Sequence, residues 1–323
     1  MKKCFLTLAL TALTALAFAQ DVLTGKPIIT IFGNFHSGLN EAAFHNLGFE
    51  IDRAYLGYQV NFTENWSAKV IYDMGETSMD GANQRIGFLK NAMVGYKHGG
   101  LQVNAGLTDC EAFTFQQNFW GYRYLYKSFM DKNGWDNSAD LGMVGKYSFT
   151  DWVSADLSVF NGEGFKKIQL DDQLSYGLGL TLNPVKGLYF RCYGEMKTAR
   201  DTTAQELLSA FVGYKNEHFR VGAEYNMMAN QKNVDGHSLS GFSVYATGVL
   251  TSKLELYARY DQGVSSTSIE NDLWAYSKNG QTALFGLQYK VNSLFTVSPN
   301  LRWEQAEGQD GKMFCYLSTQ VKF

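Results

Sequence analysis

The chain has 323 residues and a formal net charge of −3, with 28 basic against 31 acidic side chains, a balance that supplies no basic footprint for nucleic acid. Only 3 prolines stand beside 32 glycines, and no Pro/Ser-rich linker or charge block divides the chain, so one domain is expected. The 4 cysteines include one within the first five residues, and the remaining Cys110, Cys192 and Cys315 do not form a disulfide framework.

Lys2 and Lys3 form a basic start, followed by an apolar run from Phe5 to Phe18 and a small-x-small site at Ala17-Phe18-Ala19. That pattern is a signal peptide over residues 1–19, leaving a mature chain of 20–323 that begins at Gln20. The run is too short to span a bilayer as a helix. Cys4 precedes it, so a lipoprotein anchor is not expected. No later segment has the length and apolarity of a membrane helix. A membrane location therefore requires a closed sheet.

From Gln20 onward, apolar and polar residues alternate with a period of two in about sixteen segments, most near the length a tilted strand needs to cross hydrocarbon. The expected strands are 28–38, 49–61, 66–74, 86–97, 101–108, 139–149, 153–161 and 173–182. They continue with 188–197, 205–215, 219–229, 239–250, 254–262, 281–291, 295–304 and 312–323. Leu174, Tyr176, Leu178, Leu180 and Leu182 show the pattern, alternating with Gln173, Ser175, Gly177, Gly179 and Thr181. Connections after even-numbered strands are tight, such as Thr63-Glu64-Asn65, His98-Gly99-Gly100 and Asn216-Glu217, whereas 109–138 and 263–280 are long. Short turns at one end and long loops at the other mark outer-membrane barrels, and an even strand count places both termini in the periplasm. Pro27 should open a strand, Pro184 should sit in a turn, and Pro299, inside a strand, should force a bulge.

The final segment carries Met313, Cys315, Leu317, Thr319, Val321 and Phe323 on one face. It ends on an aromatic, as a barrel-closing strand does at the lipid–water boundary. Phe62, Trp66, Tyr96, Phe149, Phe219, Tyr289, Phe295 and Phe323 cluster beside the short turns, and Tyr72, Tyr225, Tyr260 and Trp303 lie near the long loops. Two aromatic girdles account for this; a soluble sandwich core does not. Charges avoid the apolar faces, with Lys90 the exception in view, placed near a strand end where the cost falls. The expected fold is an all-β transmembrane antiparallel up-and-down barrel of about sixteen strands, set in the lipid bilayer of a Gram-negative outer membrane.

A barrel of that size is too wide for wall side chains to fill, so its interior should hold water. Inward positions carry basic Arg53, Lys69, Lys146, Arg191, Lys197, Lys215, Arg220, Arg259, Lys290 and Arg302. They also carry acidic Asp73, Asp140, Asp156, Glu195, Glu224, Glu255, Asp261 and Glu304. The small basic excess fits either a mild anion preference or a mixed-charge wall of weak selectivity. Segment 109–137 holds Phe113, Phe115, Phe119, Trp120, Tyr122, Tyr124, Tyr126, Phe129 and Trp135, with Arg123 and Lys127 among them. It should pack, either inward to constrict the lumen or sideways onto another protomer. Its rings could offer sugars a stacking surface, its cations could bind anions, or it could only stiffen the wall.

Asp140-Leu141-Gly142 opening one strand, Val159-Phe160-Asn161-Gly162-Glu163-Gly164 closing the next, and Ile51-Asp52-Arg53-Ala54-Tyr55-Leu56-Gly57 together resemble the phosphate-selective porin O/P family. The resemblance is loose over most of the mature chain. It implies a sixteen-stranded, usually trimeric, passive channel for small solutes or anions with a basic constriction, to which Arg123 and Lys127 are the nearest matches. No dense basic ladder accompanies them, so a general porin is what carries over.

The five histidines (His36, His45, His98, His218, His237) are scattered without metal-ligand spacing. His36-Ser37 and Asp235 with His237 can be drawn as outer-rim pairs, but no more readily than chance pairs, and no glycine loop opens a helix. No enzyme, cofactor or metal is expected. Residues 20–26 are too few for an energy-coupling plug. The leading expectation is a porin working by passive diffusion. The alternatives are a sugar-favouring channel and a structural or adhesive barrel with a closed lumen.

Overall fold

The computed structural model describes residues 23–77 and 85–323; the signal peptide expected over 1–19 lies outside them. Sixteen strands follow one another: β1 (Thr24–Gly38), β2 (Leu47–Asn61), β3 (Trp66–Thr77), β4 (Arg85–His98), β5 (Leu101–Asp109), β6 (Ala139–Ser148), β7 (Val153–Phe160) and β8 (Ser175–Val185). The second half is β9 (Leu188–Lys197), β10 (Gln205–Lys215), β11 (Phe219–Ala229), β12 (His237–Val249), β13 (Leu254–Thr267), β14 (Gly280–Lys290), β15 (Phe295–Ala306) and β16 (Lys312–Lys322). Each pairs antiparallel with its sequence neighbours, and β16 closes on β1 from Thr30↔Lys322 to Gly38↔Phe314. Closure removes the open sheet edges apart from the start of β1, which pairs with β2 alone.

The alternation is inside-out. In β10, Leu207, Ser209, Phe211 and Gly213 are buried, while Leu208 (61 % exposed), Ala210 and Val212 face outward. Exposed leucine at that density suits hydrocarbon, not water. Trp66, Phe149, Phe219, Tyr289 and Phe323 are exposed near the short turns, and Tyr72 and Tyr225 are exposed further up their strands. Phe323 is tied down by its own N–H, which donates to the Ile29 carbonyl at 2.9 Å.

The connections alternate in length as expected, except that the β3–β4 connection, 78–84, lies outside the described residues. The short turns share a device. Thr63, Thr150, Asn216, Thr251 and Asn292 each accept from the backbone N–H groups two and three residues on. A short side-chain oxygen thus satisfies two donors that a tight turn would strand.

Three expectations about local irregularity are corrected. Pro299 causes no bulge: β15 keeps its register from Gly286↔Asn300 to Tyr289↔Val297. The Ser298 hydroxyl donates to the Leu287 carbonyl at 2.6 Å, supplying a donor beside the position where proline has none. Pro184 lies within the end of β8, where the pairing with β9 shifts between Leu182 and Val185. Pro27 stands inside β1 rather than opening it, in the stretch that pairs with β2 below the end of β16. Bulges occur instead at Asp52 in β2, opposite Phe32/Gly33, at Lys90 in β4, opposite Ile71/Tyr72, and at Gly75 in β3, between Met74 and Glu76.

The long segment 110–138 carries two short helices, α1 (Thr114–Trp120) and α2 (Phe129–Asn133). Each ends on a left-handed glycine, Gly121 (φ 76°) and Gly134 (φ 67°), as helix C-termini favour. Its rings meet wall residues that point away from the apolar exterior. Phe119 packs on Phe211 and Tyr189 (ring centroids 5.0 and 5.6 Å), Trp120 on Tyr245 (4.9 Å), and Tyr122 on Tyr257 (5.0 Å). The segment therefore lies within the barrel, against the wall formed by β9–β13.

Candidate channel and its lining

The cations expected to line the lumen separate into three environments. Lys69 reaches Asp109 at 2.9 Å, Arg53 pairs with Asp73, and Arg123 and Lys127 share Asp131 at 3.1 and 3.4 Å. Burial alone would raise the Asp131 carboxyl, but Arg123 and Lys127 hold it below the ordinary aspartate value. Toward the short turns, Lys146 meets Glu111 at 2.7 Å, Lys290 meets Glu255, and Lys215 and Arg220 sit over the rings of Tyr189 and Tyr122 at 5.0 Å. Burial pushes the Glu111 carboxyl above its usual range, with Lys146 acting against it.

The third environment overturns an expectation. Arg191 (3 % exposed) and Arg259 (4 % exposed) are not solvated channel cations. Arg191 grips both oxygens of Asp156 and donates to the Glu111 carbonyl. Arg259 grips Asp261 at 2.7 and 2.8 Å beneath the rings of Trp120 and Tyr126. Arg302 lies 3.7 Å from the Tyr316 ring and 5.7 Å from that of Tyr126. Segment 110–138 covers Arg259, so its charge is met by an ion pair and ring faces rather than by water.

The rings proposed as a sugar platform are likewise spent. Trp120 and Tyr122 are 1 % exposed, and Phe119, Tyr124 and Tyr126 are buried beside them. They hold the segment to the wall and present no open face.

Lys90 is the residue that strict alternation misplaced. The β4 bulge turns it inward next to Asn91, so both are buried, and its ammonium donates to Ser138 Oγ at 2.6 Å. No lipid-facing charge remains at that position. The Asp52 bulge does the same for β2, placing Asp52 beside Asn34 (2.8 Å) and Arg53 beside Asp73 on one side of the wall. Each of these bulges shifts the alternation by one residue, and the adjacent polar pairs Asp52-Arg53 and Lys90-Asn91 are its local sign in the sequence.

Three internal cavities adjoin along α1. One, of about 560 Å³, lies between the segment and the β1–β4 wall. It shares Thr114 and Asn118 with a second of about 650 Å³, and Gly121 and Gln320 with a third of about 480 Å³. The second and third reach the short turns at Gly99, Gly100 and Thr150, and at Asn216, Asn292 and Ser293. The motif that opens β6 has a structural task here. Asp140 accepts from the N–H of Leu141 and of Gly162, each at 2.7 Å, fastening the start of β6 to the end of β7. Cys110, Cys192 and Cys315 are free thiols. Among the described residues no group of His, Cys, Asp or Glu suited to a metal stands together.

Sixteen antiparallel strands closed on themselves, apolar outside and polar inside, define a barrel of the outer-membrane porin fold. OprB from Pseudomonas putida superposes with a TM-score of 0.71 at 12 % identity, covering 93 % of this chain and 94 % of that one. An anion-selective porin from Comamonas acidovorans gives 0.68 at 10 % identity over 93 % and 100 % of the two chains. The trimer form of the Vibrio cholerae outer-membrane protein OmpT gives 0.61 at 14 % identity over 94 % and 100 %. Identities this low establish the shared fold. No family model and no curated protein matches the chain.

Proposed function

We propose that the chain is an outer-membrane porin, a passive diffusion channel for small hydrophilic solutes and ions with a mild preference for anions. One observation carries this reading: polar cavities that adjoin along α1 inside a barrel whose exterior is apolar. Segment 110–138 narrows the path, its rings packing mostly on the β9–β14 wall and, through Tyr124, reaching Phe32 of β1. The cavity on the open side is lined by Lys69, Lys90, Arg123 and Lys322 against a single carboxylate, Asp109, which supports anion preference over a neutral wall. The cations are few, so the reading is of a general porin, not of the phosphate selectivity that the O/P resemblance would imply. Assembly is proposed as a homotrimer, the form in which the structurally similar OmpT has been solved. A cleaved signal peptide and an outer-membrane address complete the proposal.

Purified protein in planar bilayers tests it. Stable conductance steps, with a reversal potential in a tenfold KCl gradient on the chloride side of zero, are the expected result. Absence of conductance from correctly folded barrel would leave the closed structural or adhesive barrel. Block by maltose-type sugars would favour a sugar channel, a reading that the buried rings leave without support.

A further inference from the structure

Lys90 is a buried cation with no contact ion pair; Asp109, which lines the same cavity, and Asp73 and Asp131 act on it from beyond contact distance. It is 9 % exposed, its ammonium donates to the Ser138 hydroxyl and lies 5.1 Å from the Phe165 ring, and no ion pair joins it to a carboxylate among the described residues. It lines the cavity of about 560 Å³ beside α1. Such a group is costly unless something negative meets it.

The wall beside it is apolar where a porin lumen has no need to be. Ile28 and Ile71 point inward and line the same cavity. The register aligns them in one row: Ile28 pairs with Gly57, Gly57 with Ile71, and Ile71 with Asn91, next to the bulge that holds Lys90. Gly57 leaves the row without a side chain at its centre. A Cβ there would lie 2.9 Å from Ile71 Cγ1 and closer still to the Val70 carbonyl, so the glycine lets β3 approach closely and Ile71 itself covers the position. Phe113 of segment 110–138 lines the cavity as well.

We propose that this cavity is a binding site for small organic carboxylates with an apolar body, and an aromatic monocarboxylate serves as the probe. The carboxylate pairs with Lys90, beside Lys69 and Arg123, which keep Asp109 and Asp131 as their own partners, and the apolar body lies against Ile28, Ile71 and Phe113. Inorganic anions use the first half of the site only, and neutral solutes the second only. The inference rests on the channel reading for its physiological meaning, but not for its test.

Benzoate, acetate and phosphate are titrated calorimetrically into detergent-solubilised, heat-modifiable protein, and then added to bilayers carrying KCl current. Benzoate is expected to bind, and to block current, at a concentration about tenfold below acetate or phosphate, the gain coming from burial of the ring. Lys90→Gln should remove this binding. Ile71→Thr should weaken benzoate about threefold to fivefold and leave acetate unchanged, and it carries the test should Lys90→Gln fail to fold. Equal affinity for benzoate and acetate, or indifference of benzoate to Ile71→Thr, overturns the inference while a conducting barrel keeps the channel reading. Benzoate binding to a barrel that passes no current supports the site and overturns the channel.

Discussion

Asp131 shows how one carboxylate can set the charge seen by a solute. It is shared by Arg123 and Lys127, and their cations keep its pKa below the ordinary value of 3.8 despite burial. A depressed pKa means that the pairing is intact above about pH 4 and is lost as the pH falls through the lower folded value. Acidification into that range should therefore release two cations in the proposed constriction and increase anion selectivity. Asp131→Asn should reproduce the increase at pH 7. Reversal potentials measured from pH 7 to pH 3 check both, and an unchanged potential would show that the pair does not face the ion path. Lys90 makes the complementary point about legibility. Its identity was plain in the sequence, but its direction was set by one inserted residue in β4.

At the scale of a strand, the outward face carries the clearest prediction. Leu178 on β8 is 61 % exposed within the apolar band, and an arginine at a lipid midplane position costs about 2–4 kcal/mol. Leu178→Arg should thus reduce the yield of heat-modifiable barrel. Ser154 on β7 lines an internal cavity, so Ser154→Arg should assemble normally. Equal yields on a gel-shift assay would reverse the face assignment. Thr181, also on the inner face, is a poorer control because its hydroxyl accepts from Arg191 at 3.0 Å. An added cation there would disturb the Arg191–Asp156 pair. The strands themselves were legible because alternation is a local property. Several run further than the apolar pattern, β1 starting at Thr24 and β13 reaching Thr267, since ladder pairing continues where the side chains turn polar.

For the whole molecule, the decisive contact is between segment 110–138 and the β9–β13 wall. Trp120 is its anchor: the indole packs on Tyr245, lies over Arg259, and donates to the Tyr126 carbonyl at 2.9 Å. Trp120→Ala should cost about 3–5 kcal/mol of local packing, yet spare the barrel, whose sixteen ladders do not depend on it. The expected readout is unchanged heat-modifiability with a larger and noisier single-channel conductance. Conductance identical to wild type would mean that the segment does not limit the path. The candidate site was only half legible for the same reason. Arg53, Lys69, Arg123 and Lys127 could be named from the sequence as lumen cations, but Arg191 and Arg259 could not be recognised as buried ion-pair members. Burial of Arg259 depends on a segment more than a hundred residues away.

Strand number, turn placement and the two-faced wall were determined by the chain itself, because period-two alternation and the oxygens of Thr63, Thr150, Asn216, Thr251 and Asn292 act over a few neighbouring residues. The open side of the lumen, the cations left free to act there and the inward turn of Lys90 were decided only by tertiary structure. Each of these depends on which distant surface a ring packs against or on which face a residue takes where a ladder is interrupted, and the partner strand decides that.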